Sequence, residues 1–318
     1  MLFEAFSATI VGVGQSFVLG AIGYFIIKRN FLGAEGLNAL SRLVIEITLP
    51  LLIFCRLIRD FDPALYPQWW IFPLLSIAIT AVALTIGFIF SGFSRKVQER
   101  LQFLSLVSFQ NSGYLPLVLF ASILSKDKAD VMFIYLFLFL LGFNLLMFSL
   151  GTYLLTYSKS RKFDWWSLLN PPVIATLSGL LVVFLGAAGF IPGAVLKPLE
   201  MAGDCTLPLA IFVVGGNIAA IKCSGKYNKA IGLMVLVKLV ILPVLGLWAV
   251  YLFKLPDLLG LLIVMQLAMP PAANLSVIVS QYKQEDCLVS QGIFYSHILC
   301  IVTIPLFLSL YFAISMLK

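Results

Sequence analysis

Two short polar stretches interrupt apolar runs of the sequence, and each lies beside proline. The first reads Gln110-Asn111-Ser112-Gly113-Tyr114 and is followed by Pro116, and the second reads Pro270-Pro271-Ala272-Ala273-Asn274. Proline has no amide hydrogen and clashes with the carbonyl four residues earlier, so Ser112, Gln266 and Leu267 are expected to have carbonyls without a helical partner. A helix that restarts after such a break presents free N–H groups and a positive dipole end, which favour an anion.

These interruptions predict a substrate site inside a membrane. Unpaired backbone in hydrocarbon costs several kcal/mol per group and persists only where protein, water or ligand satisfies it. Two ordinary proline kinks are the alternative, but paired breaks at corresponding positions of two halves are typical of transport sites. The candidate substrate-binding residues are Asn111, Ser112, Gly113, Tyr114, Pro116, Gln266, Pro270, Pro271, Ala272 and Asn274.

Three ionisable residues inside apolar runs are candidates for ion coupling or gating. Glu46 and Asp204 each precede a proline, Pro50 or Pro208, by four residues. Each proline would free the carbonyl of the acid itself, and such an oxygen cluster could hold a proton, a sodium ion or a lysine. Carboxylates that reach water at helix ends are the alternative. Lys238 lies roughly 14 Å into its span, so it is expected either to pair with an acid or to attract an anionic substrate.

Composition excludes most other classes of protein. The 318 residues are 61% hydrophobic and 11% charged, with a mean hydropathy of +1.06, whereas soluble domains are about 45–50% apolar and about 25% charged. A lipid bilayer is therefore the expected surrounding. The net charge of +7 lies in short loops between apolar runs, which is not a nucleic-acid footprint.

Metal and nucleotide chemistry are not expected either. The chain has a single histidine, His297, no CxxC spacing and no nucleotide-binding motif. We therefore expect no metal site, no cofactor, no enzymatic activity and no ATP-driven pumping.

Ten apolar runs approach the roughly 20 residues that a helix needs to cross about 30 Å of hydrocarbon. They cover residues 5–27, 38–58, 69–92, 101–124, 131–157, 170–190, 198–219, 229–253, 258–282 and 288–316. Residues 48–54 and 206–212 agree at six of seven positions, an offset of 158. The sequence therefore predicts an all-α membrane protein of two inverted five-helix repeats, residues 1–158 and 159–318.

Loop charges predict the orientation of the chain. With the N-terminus outside, the inside loops carry 12 Lys and Arg residues and the outside loops and tail carry 7. Cytoplasmic loops are enriched in these residues, so both termini are predicted on the non-cytoplasmic side of the cell membrane.

Several of these runs, in this order, resemble the auxin efflux carrier family, which includes plant PIN carriers and bacterial malate and malonate permeases. The runs are Glu46-Ile-Thr-Leu-Pro-Leu-Leu-Ile-Phe, Asn111-Ser-Gly-Tyr-Leu-Pro-Leu, Asn170-Pro-Pro, Pro208-Leu-Ala-Ile-Phe-Val-Val-Gly-Gly and Ala268-Met-Pro-Pro-Ala. The chain departs from the plant members because only about a dozen residues separate its fifth and sixth spans.

The resemblance implies a fold like those of NhaA and bile-acid symporters, with broken fourth and ninth helices that cross and hold a carboxylate. It implies an elevator-type carrier in which helices 1, 2, 6 and 7 form a scaffold and helices 3–5 and 8–10 a mobile transport domain. Asn111 matches the family asparagine, and Pro116, Pro270 and Pro271 match the crossover prolines. A small organic acid is the expected substrate.

Two other functions remain open from the residues. A sodium-coupled symporter of the bile-acid type would use oxygens of Glu46 and Asp204 as cation ligands. An intramembrane aspartyl protease would need those two carboxylates within hydrogen-bond reach, and its GxGD pattern is absent because residue 201 is Met201. Coupling to H⁺ or Na⁺ and the choice between monomer and homodimer are also open.

Overall fold

The computed structural model describes residues 2–93, 96–156, 168–221, 228–281 and 287–316. Within those ranges the chain is helical almost throughout and forms no strand. The helices are α1 (Leu2–Lys28), α2 (Ala34–Leu43), α3 (Leu49–Asp60), α4 (Ile71–Phe90), α5 (Val97–Ser108), α6 (Tyr114–Ile123), α7 (Lys126–Leu146), α8 (Thr152–Thr156), α9 (Pro171–Phe184), α10 (Gly193–Asp204), α11 (Thr206–Ala220), α12 (Asn228–Leu236), α13 (Leu242–Phe253), α14 (Asp257–Ala268), α15 (Asn274–Gln281) and α16 (Cys287–Met316).

The helices have the length and apolar character of membrane spans. In the part of the chain that the structure describes, six stretches are long and apolar enough to cross a bilayer. They are 10–28, 71–90, 126–156, 193–220, 229–253 and 288–315. Three shorter apolar helices, α6, α9 and α14, lie in the fourth, sixth and ninth predicted spans. The prediction of an all-α membrane protein is confirmed.

Wide π-type turns join some helices within one span. Val44–Thr48 joins α2 to α3, Met147–Gly151 joins α7 to α8, and Val237–Ile241 joins α12 to α13. In the first turn the N–H of Leu49 bonds to the carbonyl of Val44, five residues back. Two of these turns precede a proline, Pro50 or Pro243, because the proline cannot supply the regular helical bond.

Several pairs of helices pack closely in the bundle. α1 packs along α11, and α3 packs along α9 and α10. α4 packs on α5 and α7, and α14 packs on α13 and α16. α1 also meets α6 and α16, and α3 also meets α7.

Glycines allow the closest helix contacts. A Cβ on Gly215 of α11 would lie 1.9 Å from the carbonyl oxygen of Gly20 on α1. A Cβ on Gly142 of α7 would lie 2.4 Å from the carbonyl oxygen of Pro73 on α4. Small residues bring helix backbones together in membranes, where close packing rather than the hydrophobic effect holds helices to each other.

The predicted orientation rests in part on loop residues that lie outside the described ranges. The basic residues at 157–167, 222–227 and 282–286 lie outside the described residues, so the side on which the termini lie stays a prediction.

Candidate functional site

The fourth and ninth predicted spans are interrupted completely, and the two interruptions meet. We call residues 109–113, between α5 and α6, and residues 269–273, between α14 and α15, the crossing segments. The N–H of Asn111 donates to the carbonyl of Pro270 at 2.8 Å, and the N–H of Ala272 donates to the carbonyl of Phe109 at 2.9 Å. The segments thus run antiparallel and satisfy part of each other's backbone, as backbone buried in a membrane protein requires.

The prolines act differently from simple kinks. Pro116 is the third residue of α6, where a missing N–H costs no helical bond. Pro270 and Pro271 lie within the second crossing segment, outside any helix. The sequence predicted a carbonyl without a helical partner at Ser112, and that carbonyl accepts a hydrogen bond from Gln266 Nε2 at 3.1 Å. Gln266 therefore bridges α14 to the other crossing segment.

A cavity of about 100 Å³ lies beside the crossing segments. It brings together several predicted site residues, namely Asn111, Ser112, Gly113, Tyr114, Ala272 and Asn274. Pro116, Gln266, Pro270 and Pro271 are not among its lining residues. Pro270 and Pro271 lie in the second crossing segment, Gln266 of α14 bonds to the first one, and Pro116 lies in the first turn of α6.

Unpartnered polar atoms concentrate around this cavity. The side-chain nitrogens of Gln110, Asn111 and Asn170 and the hydroxyl of Ser112 are buried and have no hydrogen-bond partner among the described residues. Gln110, Asn111 and Ser112 are 0%, 5% and 2% exposed. A buried donor without a partner costs about 1–3 kcal/mol, so this arrangement is one that a bound acceptor stabilises.

Two helix N-termini also face the cavity. α6 begins at Tyr114 and α15 at Asn274, and both residues line the cavity, as does Gly113, the N-cap of α6. Gly113 makes no side-chain cap, so first-turn N–H groups of α6 are free to bind an anion. Among the lining residues of the described chain none is charged. The site can therefore hold an anion through neutral donors and helix dipoles.

Asn170 also lines the cavity. Because Asn followed by Pro at the first helical position is a typical helix start, the sequence predicts only a capping role for it. Its Oδ1 accepts the N–H of Val173 at 3.0 Å, which confirms the cap at the start of α9. That bond fixes the amide so that Nδ2 is the group left free, and the residue lines the cavity. Gln110 and Asn144 also line it without having been singled out. The sequence signal that could have identified them is a polar amide side chain within an apolar run.

Glu46 and Asp204 lie apart from this cavity and pair with different arginines. Glu46 accepts a hydrogen bond from Arg42 Nε at 2.9 Å. The two residues lie about one helical turn apart, and the Glu46 side chain is 47% exposed. Asp204 lies 3.9 Å from Arg56 Nη2 and is 62% exposed. Glu46 lies in the wide turn at 44–48, and Asp204 is the last residue of α10. The alternative of partly solvated carboxylates fits both residues.

Lys238 is fully buried and does not pair with Glu46 or Asp204, which was one of the two alternatives that the sequence left open. It lies in the wide turn between α12 and α13, and its Nζ has no hydrogen-bond partner among the described residues. Both acids lie near surfaces, where the arginines of their own helix or a neighbouring helix reach them.

A cluster of charges joins three helices away from the cavity. Arg56 of α3 pairs with Asp130 of α7 and lies 3.6 Å from Asp60, and its guanidinium stacks 5.5 Å from the ring of Phe133. Arg59 binds Asp60 at 2.7 Å and Glu200 of α10 at 3.3 Å. Arg56 is about 16 Å further along its span than Ile45, which lines the cavity. The charged cluster therefore fastens α3 to α7 on the far side of the crossing.

Interrupted helices that meet inside a bundle of membrane helices are typical of membrane transport proteins. A family model described as membrane transport protein matches residues 9–163 and 155–308 of the chain. The chain belongs to this membrane transport family, as its resemblance to the auxin efflux carriers predicted.

A similar protein is also described as a transporter. An uncharacterized transporter of Methanothermobacter thermautotrophicus is 25% identical over 309 residues, which cover 96% of this chain and 98% of that protein. The similarity therefore extends over the whole bundle and is not confined to one motif.

Replacing Gln266 with leucine should destabilise the crossing. The variant removes the donor to the Ser112 carbonyl while keeping a similar volume, so the buried carbonyl loses its partner at a cost of about 1–3 kcal/mol. We expect a lower thermal unfolding midpoint in detergent. Gln68→Leu, at an exposed loop position, is the matched control and should change stability by no more than about 0.5 kcal/mol. Equal midpoints for both variants would contradict the bridging role of Gln266.

Proposed function

We propose that this protein is a secondary transporter of a small organic anion, a carboxylate. The observation that supports this most directly is the convergence of two helix N-termini and four unpartnered side-chain donors on one cavity. An ionised carboxylate offers two oxygens that accept several hydrogen bonds each, which matches a site rich in donors. A cation would find mainly donors there.

The size of the cavity favours a small acid. At about 100 Å³ it is smaller than the cavity of about 150 Å³ that accommodates benzene in an engineered protein. On that scale the cavity encloses about four non-hydrogen atoms, so the carboxylate and adjoining carbon of a small acid such as lactate or malonate would fit. A steroid-sized anion is too large for the cavity in this conformation, which weighs against the bile-acid-type alternative.

We further propose an elevator movement on ten transmembrane helices arranged as two inverted repeats. The scaffold would be α1–α3 and α9–α11, and the transport domain α4–α8 and α12–α16. The cavity supports this division because Ile45 and Asn170 line it from the scaffold, and the crossing segments line it from the transport domain. Both termini are proposed to lie on the non-cytoplasmic side of the cell membrane.

Lys238 is our proposed coupling residue. An unpaired ammonium at this depth costs several kcal/mol, so its charge must be compensated by a bound anion or lost with a proton. The wide turn that carries it packs on α4, α5, α12, α13, α14 and α16. Among the side chains that the structure describes, the titratable and charged groups of these elements are Glu99, Arg100, Lys229, Tyr251, Asp257, Tyr295, His297, Cys300 and Tyr311. None of them hydrogen-bonds to Nζ.

The function is tested by uptake of radiolabelled carboxylates into proteoliposomes. Malate, malonate, succinate, lactate and indole-3-acetate are each supplied with a proton gradient, a sodium gradient or neither. We expect saturable uptake of a small acid that does not require sodium. Saturable uptake only with sodium would support the sodium-coupled alternative. If folded protein took up none of these acids, the result would contradict the proposal.

Two variants separate substrate binding from helix capping. Asn111→Ala removes a cavity donor, and Asn170→Ser keeps an N-cap oxygen but removes the free amide donor. We expect each to raise the KM for the transported acid about threefold to tenfold, the equivalent of one lost hydrogen bond. The unfolding midpoint of Asn170→Ser should match that of the unmodified protein. An unchanged KM in both variants would place these residues outside the substrate site.

Replacing Lys238 with methionine should abolish the dependence of uptake on the proton gradient. Methionine fills similar space without a titratable group, so the buried charge is removed while packing is kept. The measurement compares uptake at equal and unequal pH across the vesicle membrane. Lys229→Met, at the start of α12, is the control and should retain the dependence. A gradient response that survives in Lys238→Met would exclude Lys238 as the coupling residue.

Breaking the ion pair between Arg56 and Asp130 should shift the conformation of the transporter. This pair joins the proposed scaffold to the proposed transport domain, so Arg56→Gln removes a contact that movement must break. We expect a cysteine introduced at Phe133 to react faster with a membrane-impermeant thiol reagent in that background. Arg42→Gln breaks a pair within one helix and should leave the rate unchanged. Equal rates in the two backgrounds would contradict a movement between α3 and α7.

A further inference from the structure

A second cavity lies between α1, α11 and α16, and Leu115 of α6 also lines it. Its volume is about 300 Å³, which is about three times the volume of the first cavity. Its walls are almost entirely apolar, with Phe17 and Gly20 from α1, Ile211 and Val214 from α11, and Phe294 from α16. None of its lining residues in the described chain is charged, so a charged ligand has no partner here.

Two of the residues that line this cavity, Tyr24 and His297, carry a polar side-chain atom. His297 is 2% exposed, and its Nδ1 lies 2.8 Å from the carbonyl oxygen of Ile293. Since a carbonyl oxygen can only accept, Nδ1 carries the proton. In the uncharged ring Nε2 is then an acceptor, and it has no partner in the part of the chain that the structure describes.

We propose that this cavity binds an uncharged lipid-like alcohol whose hydroxyl donates a hydrogen bond to His297 Nε2. The apolar walls accept an alkyl chain, and the unpartnered acceptor of His297 favours a ligand with a donor. The cavity is about twice the volume of one known to hold benzene, so a chain of roughly a dozen non-hydrogen atoms fits. The bilayer around these spans is the natural source of such a molecule.

The packing of α1 on α11 explains the space. The two helices touch at Gly20 and Gly215, where a Cβ on Gly215 would overlap the carbonyl oxygen of Gly20. A Cβ on Gly20 itself meets only Ile211 Cγ1 at 3.8 Å, an ordinary contact. A larger side chain at Gly20 can therefore enter the cavity without pushing the helices apart.

The location suggests a regulatory site. If the elevator movement proposed above takes place, the ligand would lie between the scaffold helices α1 and α11 and the transport-domain helix α16. The binding itself does not depend on that movement, so it is tested without transport.

The test is photolabelling of the full chain in phosphatidylcholine nanodiscs. One probe is 1-decanol with a mid-chain diazirine, and the matched probe is the corresponding decane, which lacks only the hydroxyl. We expect the alcohol to label peptides of α1, α11 and α16 about threefold to tenfold more than the hydrocarbon at equal concentration. Excess 1-decanol should suppress this labelling.

Three variants decide the role of the histidine and of the cavity. His297→Phe keeps a ring but removes the acceptor, so labelling by the alcohol should fall to the level of the hydrocarbon. Gly20→Val fills the cavity and should reduce labelling by both probes. Gly232→Val, at an exposed position of α12 with nothing within 4 Å of the added Cβ, should leave both unchanged. Gel filtration and thermal unfolding confirm that each variant is folded.

Equal labelling by the two probes in the unmodified protein would overturn the proposal. So would labelling by the alcohol that survives both His297→Phe and Gly20→Val. Because neither measurement uses the carboxylate, a failure here leaves the proposed transport function untouched, and a failure of uptake leaves this site untouched.

Discussion

The need to satisfy backbone polar groups inside hydrocarbon is the constraint on which the rest of this structure depends. A continuous helix satisfies its own groups, but two of the apolar runs are broken for five residues at 109–113 and 269–273. Such breaks are stable only when protein or ligand replaces the lost bonds. Here the two segments bond to each other, and Gln266 supplies a further donor. What they leave unpaired is mainly donors, and those donors surround one cavity.

The sequence predicted the breaks because proline, glycine and asparagine have local effects that do not depend on the rest of the fold. The apolar length of a span is equally local, and six of the ten predicted spans coincide with described helices long and apolar enough to cross a membrane. The extent of the breaks was not predictable in the same way. Proline chemistry alone predicts a kink at Pro116, whereas the complete interruption requires a second segment to pair with, which only the folded bundle supplies.

Side-chain partners were the least predictable part. Depth along a span can be counted from the sequence, but the direction in which a residue faces around the bundle cannot. Pairing of Lys238 with an acid was therefore one of two expectations, whereas Glu46 and Asp204 bind arginines near the surfaces. Asn170 shows the same limit, since its capping bond is local and was predicted, but its place in the cavity depends on how α9 packs.

We propose that the crossing segments hold the transported anion. An experimental structure of the protein in nanodiscs, determined with a saturating concentration of the acid that the uptake panel identifies, tests this directly. We expect density for the carboxylate at the N-termini of α6 and α15, within hydrogen-bond distance of Asn111 Nδ2 and Ser112 Oγ. A bound acid elsewhere in the bundle, with the crossing segments unchanged and without ligand, would contradict this proposal.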